Sequence, residues 1–233
     1  MIKVQRQEEI LNILHKEKHC TVEYLSKNLF VAPITIRRDL TAMEQNGLVK
    51  RCYGGASIIE HENREIPLIV RESNNSEIKS IIAKKAARLI AKGDTVFLDA
   101  SSTTLHIINY LYPEQDLTVI TNSIKALQLL GERHITVYST GGFFLENSMA
   151  FVGIHAEAMI KSINANIMFF SSQGISEDGE ITDFSERETS LRQIMLSNAK
   201  VRYFLHDSTK YGKKCLFHVC NIEEIDGVIN ENN

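Results

Sequence analysis

A chain of 233 residues, 43% hydrophobic and 24% charged, has enough apolar material for one or two buried cores and reads as soluble and globular. No stretch approaches the roughly 18 uncharged apolar residues that a bilayer crossing requires, and the four cysteines, with no CxxC pair, read as reduced thiols. The net charge of −3 is unevenly placed, because residues 1–60 hold nine Lys or Arg against seven Asp or Glu and the acidic excess lies beyond them.

The opening segment, MIKVQRQEEI, has no apolar signal core ahead of its acidic residues, so a cytoplasmic location is expected. In VQRQEEILNILHKEK, Ile10, Leu11, Ile13 and Leu14 recur among charges as on an amphipathic helix. TVEYLSKNL follows, with Thr21 as a candidate N-cap. After the link FVA, Pro33 suits the first position of a helix that runs to about Asn46, with Gly47 as its stop. Two short helices across a tight turn make a helix-turn-helix, whose second helix can enter a major groove. LVKRCYGGASII then places two short strands across Gly54-Gly55, a hairpin that adds a wing.

Thr35, Arg37 and Arg38 fall near the start of the groove-facing helix, and Lys50, Arg51 and Tyr53 on the wing. Guanidinium forks match both phosphate oxygens and base edges. Spacing alone leaves open a small structural domain with a solvated charged face, and Asp39 can pair with a neighbouring arginine. The stretch TIRRDLTAMEQNGLVKRCYGGA, however, strongly resembles the DeoR family of bacterial sugar-metabolism repressors, whose mark is a TIRRDL recognition helix and a wing ending in GGA. The resemblance implies sequence-specific binding of a double-stranded DNA operator through those six residues. Ala32 departs from the family's usual serine cap, and Tyr53 from its usual histidine before the wing glycines.

Residues 1–58 are therefore read as a winged helix-turn-helix domain. Residues 59–75, polar, with Pro67 and no sustained helical period, are read as a linker, and residues 76–233 as a second domain. In that domain SEIKSIIAKKAARLIAKG reads as a helix stopped by Gly93, TVFLDA as a strand, STTLHIINYL as a helix, LTVITN as a strand and SIKALQLLG as a helix. ITVYSTGG, ANIMFFSSQG and VRYFLHDS are further strands, separated by helical patterns near 153–163 and 186–199. The alternation predicts a parallel α/β sheet with helices on both faces. The strands end in small or polar clusters, at Asp99, Thr121, Thr140, Ser171 and Asp207, on the side of such a sheet where ligands bind. Ser101, Ser102, Thr103 and Thr104 stand where a strand gives way to a helix, an arrangement suited to an anion, and Lys210 adds positive charge.

The same resemblance extends through Lys79, Ile82-Ala83, Gly93-Asp94, the DASSTT run, Thr121-Asn122, Gly141-Gly142, Gly153 and the DSTK that ends at Lys210. It implies a Rossmann-like α/β sensor domain similar to ribose-phosphate isomerases, needing no cofactor and responding to a phosphorylated sugar. By that resemblance Asp99, Ser101, Ser102, Thr103, Thr104, Asn122, Gly141, Gly142 and Lys210 line its pocket. Asn166 stands where the family often has aspartate, and SSQGISEDGEITDF is only loosely family-like.

The alternative is a sugar-phosphate isomerase-like enzyme, which needs a carboxylate base and a group to polarise the carbonyl. Asp99, Asp207 and Lys210 are its candidates, yet a DNA-binding head belongs on a sensor, and no catalysis is expected. A purely architectural DNA-binding protein would leave the strand-end hydroxyls unexplained. No metal site is expected from Cys215, His218 and Cys220, since CLFHVC reads as a strand with its cysteines on opposite faces. His106, His155 and His206 are read as packing or surface residues, and the phenylalanine pairs 143–144 and 169–170 as core or interface. Paired half-sites call for a two-fold protein, so a homo-oligomer, dimer or tetramer, is expected.

Overall fold

The computed structural model describes residues 3–45, 48–58 and 67–233, which divide into two compact units between Asn74 and Asn75. The first holds α1 (Lys3–Glu17), β1 (His19–Thr21), α2 (Val22–Leu29), α3 (Pro33–Gln45), β2 (Val49–Cys52), β3 (Gly55–Ile58) and α4 (Leu68–Ser73). Ile10, Leu11 and Leu14 of α1 pack with Leu25 of α2 and with Ile36, Leu40 and Met43 of α3, a single apolar core. The Thr21 hydroxyl caps α2 by accepting from the Tyr24 amide at 3.1 Å. Ala32 offers no side-chain cap to α3, but its carbonyl accepts from the amides of Thr35 and Ile36. The wing is a three-stranded antiparallel sheet in the order β1-β3-β2.

The short β1 was not expected, and it explains the glycine pair of the wing. Gly54 turns the chain at φ +80°, and a Cβ on Gly55 would lie 2.0 Å from the Cys20 carbonyl oxygen of β1. Asn46 and Gly47, read as the end of α3, and residues 59–66 lie outside the described residues. The rest of the segment read as a linker is not one. Residues 68–73 form α4, and Val70 joins the core of the first unit, because the apolar run Leu68-Ile69-Val70 after Pro67 is better buried than solvated.

The second unit comprises α5 (Ser76–Ala87), β4 (Thr95–Leu98), α6 (Ser102–Leu105), β5 (Thr118–Thr121), α7 (Ile124–Glu132), β6 (Thr136–Ser139), β7 (Phe143–Leu145), β8 (Ala150–Val152), α8 (Ile154–Lys161) and β9 (Ala165–Phe170). It continues with β10 (Gly174–Ile175), β11 (Glu180–Asp183), α9 (Glu186–Ser197), β12 (Ala199–Leu205), β13 (Phe217–Asn221) and β14 (Gly227–Ile229). Six parallel strands form the main sheet in the order β6-β5-β4-β9-β12-β14. The chain winds outward from β4 to β6, returns, and winds outward again from β9 to β14. The carboxyl ends of β4 and β9 therefore flank the switch point, where connections leave in opposite directions and open a crevice. Phe97, Met168, Phe170 and Phe204 of the sheet pack with Leu191 and Met195 of α9.

Three features of this unit depart from the expectations. SSQGISEDGEITDF builds β10 and β11, which join β13 in a small antiparallel sheet. The helix expected over STTLHIINYL is one α-helical turn followed by a 3-10 segment, His106–Tyr110. Its β-branched Thr103, Thr104, Ile107 and Ile108 lose rotamer freedom in a helix, and the Thr104 hydroxyl bonds back to the Ser101 carbonyl. The helix begun at Ser76 ends at Ala87, ahead of Gly93. Asn166 caps the amino end of the sheet at its centre, its Oδ1 accepting from the Thr95 amide at the start of β4.

Candidate nucleic-acid interface and sensor site

Helix α3 has two chemically distinct faces. Ile36, Asp39, Leu40 and Met43 are buried at helical spacing, and Ile34, Arg37 and Arg38 on the other side are exposed. The paired arginines thus stand in solvent at the start of the helix, and Thr35 is half-buried between the faces. Asp39 is not paired with either of them. It is buried and receives a two-pronged contact from Arg6 of α1, through Nε to Oδ2 and Nη2 to Oδ1, the latter at 3.3 Å. Arg37 makes only a loose contact with Glu23, 3.8 Å away and exposed on both sides, which leaves its charge available. Arg51 of β2 reaches the Thr41 hydroxyl of α3 at 3.0 Å, so wing and helix share one basic surface there. Lys50 is exposed on the alternate face of β2, and Tyr53 is fully exposed at the hairpin tip.

At the switch point of the second unit a buried polar cluster takes the place of apolar packing. Asp99, next after β4, uses both carboxylate oxygens. Oδ1 accepts from the Ser101 amide at 3.1 Å and the Thr104 hydroxyl at 3.0 Å, and Oδ2 from the Ser171 amide at 3.2 Å and Arg192 Nε at 3.0 Å. Arg192, on α9, is 5% exposed and donates a second bond to Asp183 Oδ2 at 3.2 Å. Burial opposes its charge, but Asp99, Asp183 and Glu188 more than offset that, and the guanidinium stays protonated. Ser101 caps α6 by accepting from the Thr104 amide at 3.2 Å.

Asn122, at the end of β5, shares a cavity of ≈ 10 Å3 with Asp99, Glu188 and Arg192, room for about one water. Its Nδ2 donates to the Phe151 carbonyl at 3.1 Å, but its Oδ1, like the Thr103 hydroxyl, is buried without a hydrogen-bond partner. Lys210 enters through Ser171, donating to its hydroxyl at 2.8 Å. Behind it lies Asp207. Burial pushes that carboxyl up, yet the Thr209 hydroxyl and the charges of Lys210 and Lys79 hold it below the usual range. Gly141 and Gly142 close β6, two strands from β4, and a Cβ on Gly142 would meet the Val152 carbonyl at 2.6 Å.

The structure thus joins Asp99, Ser101 and Thr104 directly, Asn122 through a shared cavity and Lys210 through Ser171, and sets the glycines at the edge. Arg192, Glu188 and Asp183 were not anticipated, nor was a role for Lys79. A signal existed for three of them. Glu188 and Arg192 fall with Leu191 and Met195, and Lys79 with Ile82, Ala83 and Ala86, where an amphipathic helix places its apolar stripe.

A wider groove of ≈ 680 Å3 lies along α9 and β13, lined by Gln193, Arg202, His218 and Glu224 among others and including none of the strand-end residues. Its donors are engaged: Gln193 bonds the His218 and Val219 carbonyls, and Arg202 those of Leu196 and Glu224. Cys215 precedes β13 and is half-buried, His218 pairs with Glu180 at 3.1 Å, and burial pushes the Cys220 thiol up to about 12. Among the described residues no group of three or more His, Cys, Asp or Glu is placed to hold a metal ion, and no helix is long and apolar enough to cross a membrane.

A basic-faced winged helix-turn-helix on one unit and a doubly wound sheet with a buried polar switch point on the other define a DNA-binding regulator with a sensor domain. The chain belongs to the DeoR family of transcriptional regulators: residues 6–62 match the DeoR-like helix-turn-helix domain and residues 74–232 the DeoR C terminal sensor domain. It is 35% identical to the HTH-type transcriptional regulator GolR of Listeria innocua, over 100% of this chain and 92% of that one. It is 33% identical to the lactose phosphotransferase system repressor of Staphylococcus aureus, over 98% of this chain and 92% of that one. Among solved structures, eIF2B delta of Chaetomium thermophilum is similar in fold, with a TM-score of 0.51 at 14% identity over 68% of this chain and 57% of that one. Ribose 5-phosphate isomerase a of Methanocaldococcus jannaschii matches with a TM-score of 0.45 at 19% identity, over 59% of this chain and 55% of that one.

Proposed function

We propose that the protein is a repressor of a sugar-metabolism operon whose grip on its operator is modulated by a phosphorylated sugar. The head binds duplex DNA through Thr35, Arg37, Arg38, Lys50, Arg51 and Tyr53. The sensor binds its ligand at the strand ends through Asp99, Ser101, Ser102, Thr103, Thr104, Asn122, Gly141, Gly142 and Lys210. The names of the relatives, a lactose phosphotransferase repressor among them, support the sugar, and a homo-oligomer acting in the cytoplasm would match an operator of two half-sites. The observation that carries the reading is the division of α3, where two exposed arginines stand on the face opposite a fully buried one.

The sensor reading rests on chemistry at the switch point. A buried acceptor on Asn122 and a buried hydroxyl on Thr103, both without a protein partner, are the groups that a ligand's hydroxyls would bond. Helix α6 is a single turn with a small dipole, so Lys210 and the neighbouring Lys79 are the stronger attraction for a phosphate. Catalysis is not part of the proposal. Asp99 is occupied at both oxygens, and Asp207, hydrogen-bonded by Thr209 and held below the usual carboxylate range, is a weak base for a C–H proton.

Fluorescence anisotropy of operator DNA at several salt concentrations tests the interface. Replacing Arg37 and Arg38 together by alanine is expected to weaken binding and lower the slope of log K against log salt by about 0.9 for each phosphate that is no longer neutralised. A folded double variant with unchanged affinity and slope overturns the assignment.

A further inference from the structure

The exposed face of α3 carries, besides its arginines, a residue that charge does not explain. Ile34 is 65% exposed, although the core of the same unit takes Ile36 from two positions further on. It stands in the first turn, immediately after Pro33, and shares a stripe with Arg37 and Arg38 at i+3 and i+4. Side chains on a helix lean toward its N-terminus, so Ile34 covers the leading tip of the helix. In a helix-turn-helix that end meets base edges in the major groove.

We propose that Ile34 reads the C5-methyl group of a thymine, and so sets operator sequence where the arginines set affinity. The proposal rests on the DNA-binding reading above. The major groove of B-DNA offers one apolar group, the thymine methyl, and an aliphatic side chain is its natural contact. An isoleucine has no polar atom to spend on phosphate or on a base donor. Arg37 and Arg38 beside it require an anionic surface with apolar points in it, which duplex DNA supplies. A protein partner on this face would have to neutralise both arginines, and it is the competing outcome of the test.

The experiment uses the full chain. An operator is first selected from random duplexes, and each thymine is then replaced singly by deoxyuridine, which removes the methyl and nothing else. The wild type is expected to bind about fourfold more weakly when one particular thymine of each half-site loses its methyl, the worth of one buried carbon. Ile34→Ala is expected to bind that operator with and without the methyl equally well, and Tyr53→Ala to keep the dependence. Ile34 being exposed, its variant should melt with the wild type, which separates reading from folding. A selected operator on which no thymine methyl matters overturns the inference and leaves DNA binding standing, as does an Ile34→Ala protein that keeps the dependence. Failure to select any sequence overturns both, and loss of self-association in Ile34→Ala assigns the face to a protein partner instead.

Discussion

At the scale of single residues, the centre of the sensor unit is Arg192, a buried cation between Asp99 and Asp183. A guanidinium in such a place is worth little against a well-packed apolar substitute, but removing it alone strands two carboxylates away from water. Arg192→Met is therefore expected to cost about 3–5 kcal/mol in urea denaturation of the second unit. Asp99→Asn in the same background should restore part of that loss, and additivity of the two changes would show that they do not act on each other. His106 gives a separate test. Burial, and then the charge of Lys79, hold its pKa below 6.5, so between that value and its folded one the unfolded chain binds more protons. Stability there rises with pH and is lost on acidification from about 6.5 downward. Thermal melts from pH 8 to 5 should show the gap between wild type and His106→Gln narrowing as the pH falls, and a gap independent of pH would refute the assignment.

At the scale of elements, most strands and helices of the sheet unit were legible, because apolar runs such as TVFL and NIMFF are bounded by turn residues. The site's own parts were legible only where a short sequence holds them together. Ser101 and Thr104 lie two and five residues from Asp99, whereas Arg192 reaches the same carboxylate from 93 residues away. Arg6 likewise meets Asp39 from 33 residues away, beyond any local pattern. Helix α4 was missed because six residues are too few to show a period, although their apolar content is what buries Leu68 and Val70. The head expressed as residues 1–74 is accordingly expected to be more stable than one cut at residue 58, by about 2 kcal/mol for the buried Val70 with Ile69 packed beside it. Chemical denaturation of the two fragments compares them directly. Equal midpoints would mean that α4 contributes nothing to the core.

At the scale of the whole molecule, the proposed reading gives one binding surface to each of the two units, and regulation is then the free energy that couples them. If a sugar phosphate changes operator affinity by some factor, operator DNA must change sugar-phosphate affinity by the same factor. Calorimetric titration of the ligand with and without saturating operator should match the shift in DNA affinity measured by anisotropy with and without ligand. Lys210→Gln should abolish the ligand heat and the coupling together and leave the affinity of free protein for DNA unchanged. A Lys210→Gln protein whose DNA affinity still shifts with the sugar phosphate would show that the ligand acts on DNA binding from somewhere other than this sensor.

The motif that marks the recognition helix mixes two kinds of letter. In TIRRDL, Ile36, Asp39 and Leu40 face the core or Arg6, and Arg37 and Arg38 face outward beside Ile34. Drift at the inward letters is punished by unfolding, whatever DNA is present. The outward letters carry no such penalty, and a change at Ile34 costs nothing in the absence of an operator. After gene duplication, two copies of such a head can therefore part company over which promoter they occupy, one substitution at a time, each intermediate remaining a folded protein. The fold keeps the spelling of its scaffold and leaves the spelling of its target free to evolve.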